Sequence, residues 1–405
     1  MTAEVRRHIL IAVSALFLAV GPVGAQDRSA SEAESVEQVA GTAVTDPLRS
    51  DALAFLGSET QSLIGQEHLA HFLGRFRDLL IGVPLAEGHE ALSILHFGGS
   101  HVQAGRIGWT FRKRLSEDRP DLIVSRGILP PHRLAGENGP PQVRWASRAR
   151  WTGQRSAHRR HEGEWGLTGL ETSALGADTV RLWNGESHGP GCIAGVEVLN
   201  PPGHQWAWAD SGADTLLLWT PDSLARLHGV WVKEKDAALV FHDLGGNGAS
   251  TAAWLRHPHL GQQLARCPAD LAILAWGIND AHMAPDRFRE HRFAERYADI
   301  ILRLREARPD IEILLVTNND SHYRRRHNPN SERVRQAMVS LSDELGVACW
   351  DLYGALGGAH SIERLREEGF AATDHLHFNR TGYELIGELL YATLMRAALD
   401  HALAP

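Results

Sequence analysis

The chain has 405 residues, 43% apolar and 22% charged, enough to bury a large core and too apolar for an extended disordered protein. Its formal net charge of -8 argues against nonspecific nucleic-acid binding, which needs a basic footprint. Three cysteines, Cys192, Cys267 and Cys349, supply neither a disulfide framework nor zinc-ligand spacing.

The first 25 residues read as a secretory signal. Arg6-Arg7 form a positive start, residues 9–20 a short apolar run, and Val23-Gly24-Ala25 a small-residue cleavage site before Gln26. The same run also reads as a membrane anchor, although it is shorter than the ~20 residues a span needs. No other segment is long and apolar enough to span, so an exported, periplasmic protein without a transmembrane span after signal removal is expected. Residues 26–65 are assigned to a disordered tether, read over 26–48, and a leading helix. Apolar spacing of three and four predicts an amphipathic helix over 66–80.

Short apolar runs then mark strands at 92–97, 238–241, 271–276, 311–316 and 347–350. Continuous apolar runs suit parallel strands buried on both faces. Helical stripes lie at 288–304, 331–345 and 381–399, with a further helix near 101–116. Strand alternating with helix predicts a doubly wound, flavodoxin-like α/β fold. One interval breaks the alternation. Residues 120–145 read as a Pro- and Gly-rich loop, and 145–237 contain short β-like pieces at 179–183, 193–199, 215–219 and 229–233. Eight of the twelve tryptophans fall in that interval, which predicts an inserted β-sandwich over 145–237. The flanking segments 66–144 and 238–405 then form one discontinuous α/β domain.

Four segments at the ends of these strands carry chemistry. Gly98-Gly99-Ser100-His101 places a serine at the carboxyl edge of the sheet, beside a helix N-terminus. Gly246-Asn247-Gly248 offers an unobstructed backbone N–H at Gly248, and Gly277-Ile278-Asn279-Asp280 a side-chain amide at Asn279. Asp374-His375-Leu376-His377 sets an acid and an imidazole three apart in one loop, so that Asp374 orients His377 and His377 reaches Ser100. Each segment alone also reads as a turn or helix cap; His375 is the rival base. Together they supply a nucleophile, a base, an orienting acid and oxyanion donors. No metal or organic cofactor is needed.

In this order the segments resemble blocks I, II, III and V of the SGNH (GDSL-type) hydrolases. Ser100, Gly248, Asn279 and His377 match the four named positions, and Asp374 the acid of D-x-x-H. Ser100-His101-Val102-Gln103-Ala104 and His377-Phe378-Asn379-Arg380-Thr381-Gly382-Tyr383 are similar to the branch that contains bacterial peptidoglycan O-acetylesterases, in which a carbohydrate-binding-module-like β-domain interrupts the hydrolase between blocks I and II. The resemblance implies a serine esterase that removes O-acetyl or other short acyl groups from a polysaccharide, peptidoglycan first. Ser100, Asp374 and His377 form the triad, and Ser100, Gly248 and Asn279 the oxyanion hole. Gly99 departs from the pattern, which usually has Asp there. That departure keeps a non-catalytic glycan-binding protein open, beside an acyltransferase, lipase or thioesterase using the same site.

Three further features bear on substrate. Trp206 and Trp208, two apart, would share one strand face as an aromatic platform. Arg324 and Arg325, within His322-Tyr323-Arg324-Arg325-Arg326-His327, follow a strand on the active-site edge and suit carboxylates of a polymer. The cysteines read as small buried hydrophobes, with Cys267–Cys349 the conceivable bridge.

Overall fold

The computed structural model describes residues 62–401, apart from 87, 177, 187, 189–191, 213 and 221–224. The expected signal and nearly all of the tether lie outside the described residues. Helix α1 (Ala70–Ile81) leads to β1 (Leu92–Gly98), α2 (Ser100–Gln103), α3 (Arg106–Asp118) and β2 (Ile123–Ser125). Ten short strands follow: β3 (Ile128–Leu129), β4 (Val143–Ala146), β5 (Trp151–Arg155), β6 (Leu170–Ala174), β7 (Asp178–Asn184), β8 (Ile193–Leu199), β9 (Ala207–Asp210), β10 (Thr215–Thr220), β11 (Arg226–Leu227) and β12 (Gly229–Glu234). Alternation then resumes with β13 (Ala237–Gly245), α4 (Thr251–Trp254), α5 (Leu260–Arg266), β14 (Leu271–Ala275), α6 (Ile278–Ala281), α7 (Glu290–Ala307) and β15 (Glu312–Val316). The hairpin β16 (His322–Tyr323) and β17 (Arg326–His327), α8 (Asn330–Leu345), β18 (Ala348–Trp350), α9 (Leu352–Ala355), α10 (Ser361–Glu367) and α11 (Arg380–His401) complete it.

Six strands form one sheet in the order β18-β15-β14-β1-β13-β2, every pair parallel. The strand that reads as a single apolar run serves two cores. Ile94 and Ile273 join α1, α3 and α11 on one face; Leu95, Phe97, Ala272 and Leu274 join α5, α7 and α8 on the other. Side chains alternate across a strand, so burial on both faces demands the continuous run. On the first face Phe76 lies 5.6 Å from Phe72 and 5.9 Å from Phe111, ring centre to ring centre, tying α1 to α3. This is the doubly wound α/β fold expected for an SGNH hydrolase, and the topology reverses at β1, which lies between β13 and β14.

The interval between β2 and β13 forms an additional β domain of antiparallel sheets, ordered β4-β7-β10-β9, β11-β6-β5 and β3-β12-β8. Its core contains Trp145, Val180, Leu182, Leu216, Leu218, Leu227 and Val230. The loop expected over 120–145 is not continuous. Ile123–Ser125 forms the edge strand of the main sheet, and Ile128 and Leu129 pair with Trp231 and Val230. Both strands are short enough to vanish among the surrounding prolines and glycines. A buried charge cluster joins the two parts: Arg112 binds Glu186 at 2.6 Å and Asp243 at 3.1 Å, and Arg126 binds the same two carboxylates.

The cysteines are free. Cys267 and Cys349 are fully buried, and burial pushes both thiols up to about 12. The conceivable bridge between them does not form.

Candidate active site

The register of the sheet aligns the chemistry. Gly98 at the end of β1 pairs with Gly245 of β13 and Ala275 of β14. Ser100, Gly248 and Asn279 therefore lie two to four residues beyond one line across the sheet. That line is the carboxyl edge at a topological switch point, where open α/β folds place ligands.

Ser100 Oγ is 2.8 Å from His377 Nε2. His377 Nδ1 is 2.7 Å from Asp374 Oδ2, while Asp374 Oδ1 accepts the backbone N–H groups of Leu376 and His377, each at 3.0 Å. An ionised carboxylate accepts and does not donate, so Nδ1 carries the ring proton and Nε2 is free to accept from the Ser100 hydroxyl. Partial burial, the largest single influence on Asp374, raises its pKa, but the bonds from His377 and Leu376 together outweigh it and hold the carboxyl below its ordinary value. The loop that holds this pair is closed at its base. Ala371 bridges Phe378, Ala372 N–H donates to the His377 carbonyl at 2.8 Å, and Asn379 Oδ1 accepts from Gly382 N–H in the first turn of α11. That closure explains why Asn379 and Gly382 follow His377 at those spacings.

Three groups at this edge keep an N–H to offer. The Ser100 and Gly248 N–H groups donate to no backbone carbonyl among the described residues. Gly248 has φ +74°, a conformation that favours glycine, with open space where a side chain would stand. Asn279 Nδ2 donates to the Ala249 carbonyl at 2.9 Å, which fixes the amide and leaves its second N–H. Gly99 also acquires a steric meaning. A β-carbon there would lie 2.6 Å from Asn279 Nδ2, so the missing side chain is space that the amide uses.

Several supporting residues escaped the sequence reading. The His101 ring meets that of His377 edge-on at 5.3 Å. Its Nε2 faces Asn319 Oδ1 at 3.0 Å and its Nδ1 faces the Tyr383 hydroxyl at 2.9 Å. Asn319 Nδ2 donates to the Asp320 and Leu376 carbonyls, so Asn319 Oδ1 must accept. His101 thus donates from Nε2 and accepts from Tyr383 at Nδ1. Burial first, then the nearby His377, lowers its pKa to about 3 and keeps it neutral. Asp280 accepts Thr251 N–H at 3.1 Å and Thr251 Oγ1–H at 2.6 Å, tying α6 to α4; burial raises it to about 6 despite those bonds. His101 and Tyr383 stand inside the motifs quoted above, which is the signal that marks them. Asn319 has no such signal.

His375 does not rival His377. Its ring stacks on His322 at 4.5 Å and its carbonyl accepts the His322 N–H. Arg324 and Arg325 occupy the exposed tip of the β16–β17 hairpin, with φ of +52° and +66°. The hairpin borders the site through Tyr323, whose ring meets His282 at 5.2 Å. Trp206 and Trp208 differ in how they are packed. Trp208 is opposite Leu218, on the face that carries the core leucines. Trp206 packs on that core, stacks with Trp151 at 6.3 Å and donates Nε1–H to the Arg226 carbonyl. Trp208, on the edge strand, stays 38% exposed. The shared face expected of positions two apart is the packed one. Among the described residues no group of three or more His, Cys, Asp or Glu is arranged to hold a metal ion, and no helix is long and apolar enough to cross a membrane.

The sequence profile of the GDSL-like Lipase/Acylhydrolase family matches residues 203–385. That span includes Gly248, Asn279, Asp374 and His377 and stops short of Ser100, which lies on the far side of the β domain. With the fold, this match, which covers just under half of the chain, likens it to the SGNH (GDSL-type) hydrolases and supports a carboxylic ester hydrolase. No curated protein sequence matches it significantly. A solved structure of a peptidoglycan O-acetylesterase superimposes with a TM-score of 0.71 at 20% identity, over 84% of this chain and 99% of that one. An acetyl xylan esterase aligns with a TM-score of 0.31 at 17% identity, over 38% of this chain and 80% of its own. A carbohydrate esterase family 3 protein from Talaromyces cellulolyticus gives 0.32 at 16%, over 40% and 72%.

Proposed function

We propose that the protein is an exported serine esterase that removes O-acetyl groups from a polysaccharide, with peptidoglycan as the polymer. The observation that carries this reading is the continuous hydrogen-bonded chain from Ser100 Oγ through the His377 ring to Asp374. The similarity of the whole fold to a peptidoglycan O-acetylesterase supports the choice of polymer. Residues 1–25 act as the export signal, and the β domain between β2 and β13 grips the glycan.

The proposed reaction has two halves. Ser100 Oγ attacks the acetyl carbonyl while His377 Nε2 takes the hydroxyl proton. The oxyanion is held by the N–H groups of Ser100 and Gly248 and by the Asn279 amide. Asp374 stabilises the resulting imidazolium. As the tetrahedral intermediate collapses, the C–O bond to the sugar breaks and His377 returns the proton to the leaving sugar oxygen. Water, deprotonated by the same imidazole, then attacks the acetyl-serine; acetic acid leaves and Ser100 regains its proton. Acetate offers little surface to grip, so binding energy must come from the sugar side.

Rapid-quench mass spectrometry with 4-nitrophenyl acetate tests the covalent step. One acetyl group on the Ser100 peptide is expected, accumulating in Asn279→Ala if deacylation slows. Turnover that persists in Ser100→Ala would overturn the assignment.

A further inference from the structure

A second feature lies on the same edge of the sheet. β2 runs parallel to β13, so the chain leaving Ser125 emerges on the side that carries Ser100. Between the 130–141 loop and β4 it encloses a cavity of about 500 Å³, walled by Arg126, His132, Arg133, Glu137, Arg144 and Trp145 among others. The cavity adjoins the nucleophile's own helix. Gln103, one turn beyond Ser100, donates Nε2–H to the Asn138 carbonyl at 2.6 Å and to Glu137 Oε2 at 3.2 Å. Its volume is in the range of ligand sites, about 300–1,000 Å³.

Its charge is unbalanced. Glu137 is already paired with Arg155, and Arg126 with Glu186 and Asp243. Arg133 and Arg144 are exposed and belong to no ion pair among the described residues; Arg144 is steadied by the Trp183 ring, 4.6 Å from its guanidinium. Polar groups in the wall are also unspent. Trp145 Nε1, His132 Nδ1 and Arg126 Nε are buried without a hydrogen-bond partner in the protein, on residues 6%, 3% and 1% exposed. Such groups cost free energy unless something meets them. Burial, then the nearby Arg126, lowers His132 to about 3, so it is neutral and adds no charge. Two free guanidiniums over buried donors suit a carboxylate on a hydroxyl-rich ring, since guanidinium binds carboxylate in a fork and indole N–H meets a hydroxyl.

We infer that this cavity binds a sugar of the substrate polymer whose carboxylate is free, in peptidoglycan a muramoyl unit that has lost its stem peptide, with Arg133 and Arg144 on the carboxylate, so that the acetylated unit is positioned at Ser100. The inference rests on the polysaccharide reading above and adds the charge of the recognised sugar. Titration calorimetry of the full-length Ser100→Ala chain tests it. The probes are the peptide-free disaccharide N-acetylglucosaminyl-N-acetylmuramic acid, its carboxyl methyl ester, and a stem peptide without sugar. The acid is expected to bind at least about tenfold tighter than the methyl ester, a preference equivalent to about 1.4 kcal/mol. Arg133→Glu combined with Arg144→Glu should erase it, and the single Arg133→Ala, at an exposed position, should weaken it. Equal binding of acid and ester, a preference that survives both charge reversals, or a peptide that binds as well as the disaccharide would each overturn the inference. Acetate release by the wild-type chain is scored separately. Binding preference without release sinks the esterase reading and leaves this site; release without preference does the reverse.

Discussion

A β-carbon at Gly99 would stand 2.6 Å from the Asn279 amide nitrogen, in space that the amide now uses. The position where the family usually has an aspartate is thus matched sterically to a proposed oxyanion donor. Gly99→Asp is predicted to lower kcat on a small acetyl ester by about 10–100-fold, because it displaces Asn279. Asn279→Ala is expected to cost about 10²–10³-fold, the usual loss for one oxyanion donor. In Gly99→Asp/Asn279→Ala the losses should be markedly less than additive, since both act on one amide. A gain of activity in Gly99→Asp would contradict this account.

Four deeply buried histidines, His96, His132, His242 and His257, have pKa values lowered by burial to about 3. In the unfolded chain they return to the ordinary value near 6.5, so between about 6.5 and 3 the unfolded state binds more protons. Stability is full above that window and falls as pH drops through it, on the order of 1 kcal/mol per histidine per pH unit. Glu388 and Asp280 oppose this, since burial raises them to about 7 and about 6 and the folded state holds their protons. Four sites exceed two. Urea midpoints should therefore fall between pH 7 and pH 5; a level or rising midpoint contradicts the prediction.

In the proposed mechanism Tyr383 and Asn319 position the base, His377, through His101. Tyr383→Phe leaves His101 Nδ1 without its donor, and Asn319→Ala also frees the Leu376 carbonyl beside His377. A lost partner at a buried polar group costs about 1–3 kcal/mol. The expected signature is a kcat lowered by about tenfold or more with little change in KM on a small ester. A matching loss in both parameters, or in folding alone, would assign these residues a purely structural part.

Trp206 and Trp208 should differ in their contribution to stability. Trp206→Ala removes a packed ring and a hydrogen bond and is predicted to cost about 2–4 kcal/mol of stability. Trp208→Ala, on the exposed edge strand, should cost less than about 1 kcal/mol. Equal losses in thermal or urea unfolding would show that the edge ring is packed as tightly as its neighbour.

Much of this architecture is legible in the residue order. Buried parallel strands announce themselves as apolar runs, which is why β1, β13, β14, β15 and β18 are found within a few residues of their true bounds. The chemistry is legible for a related reason: Ser100, Gly248 and Asn279 each follow such a run, and parallel register carries them to one edge. Asp374 and His377 need only their own loop to meet. What sequence hides is pairing between distant short pieces. Ile123–Ser125 becomes a strand only because β13 is beside it, and Asn319 acquires a partner 218 residues away in His101. For the tryptophan pair, alternation tells which residues share a face and is silent about how far each ring is buried.

The most direct test measures acetate released from O-acetylated peptidoglycan by wild type, Ser100→Ala and Asp374→Asn at equal folded concentration. The account predicts release by wild type, none above background for Ser100→Ala, and a loss of about 10²–10⁴-fold for Asp374→Asn, in which the imidazole is no longer held in the productive tautomer. Release by Ser100→Ala at the wild-type rate, or no release from this polymer by a folded wild-type protein, would contradict it.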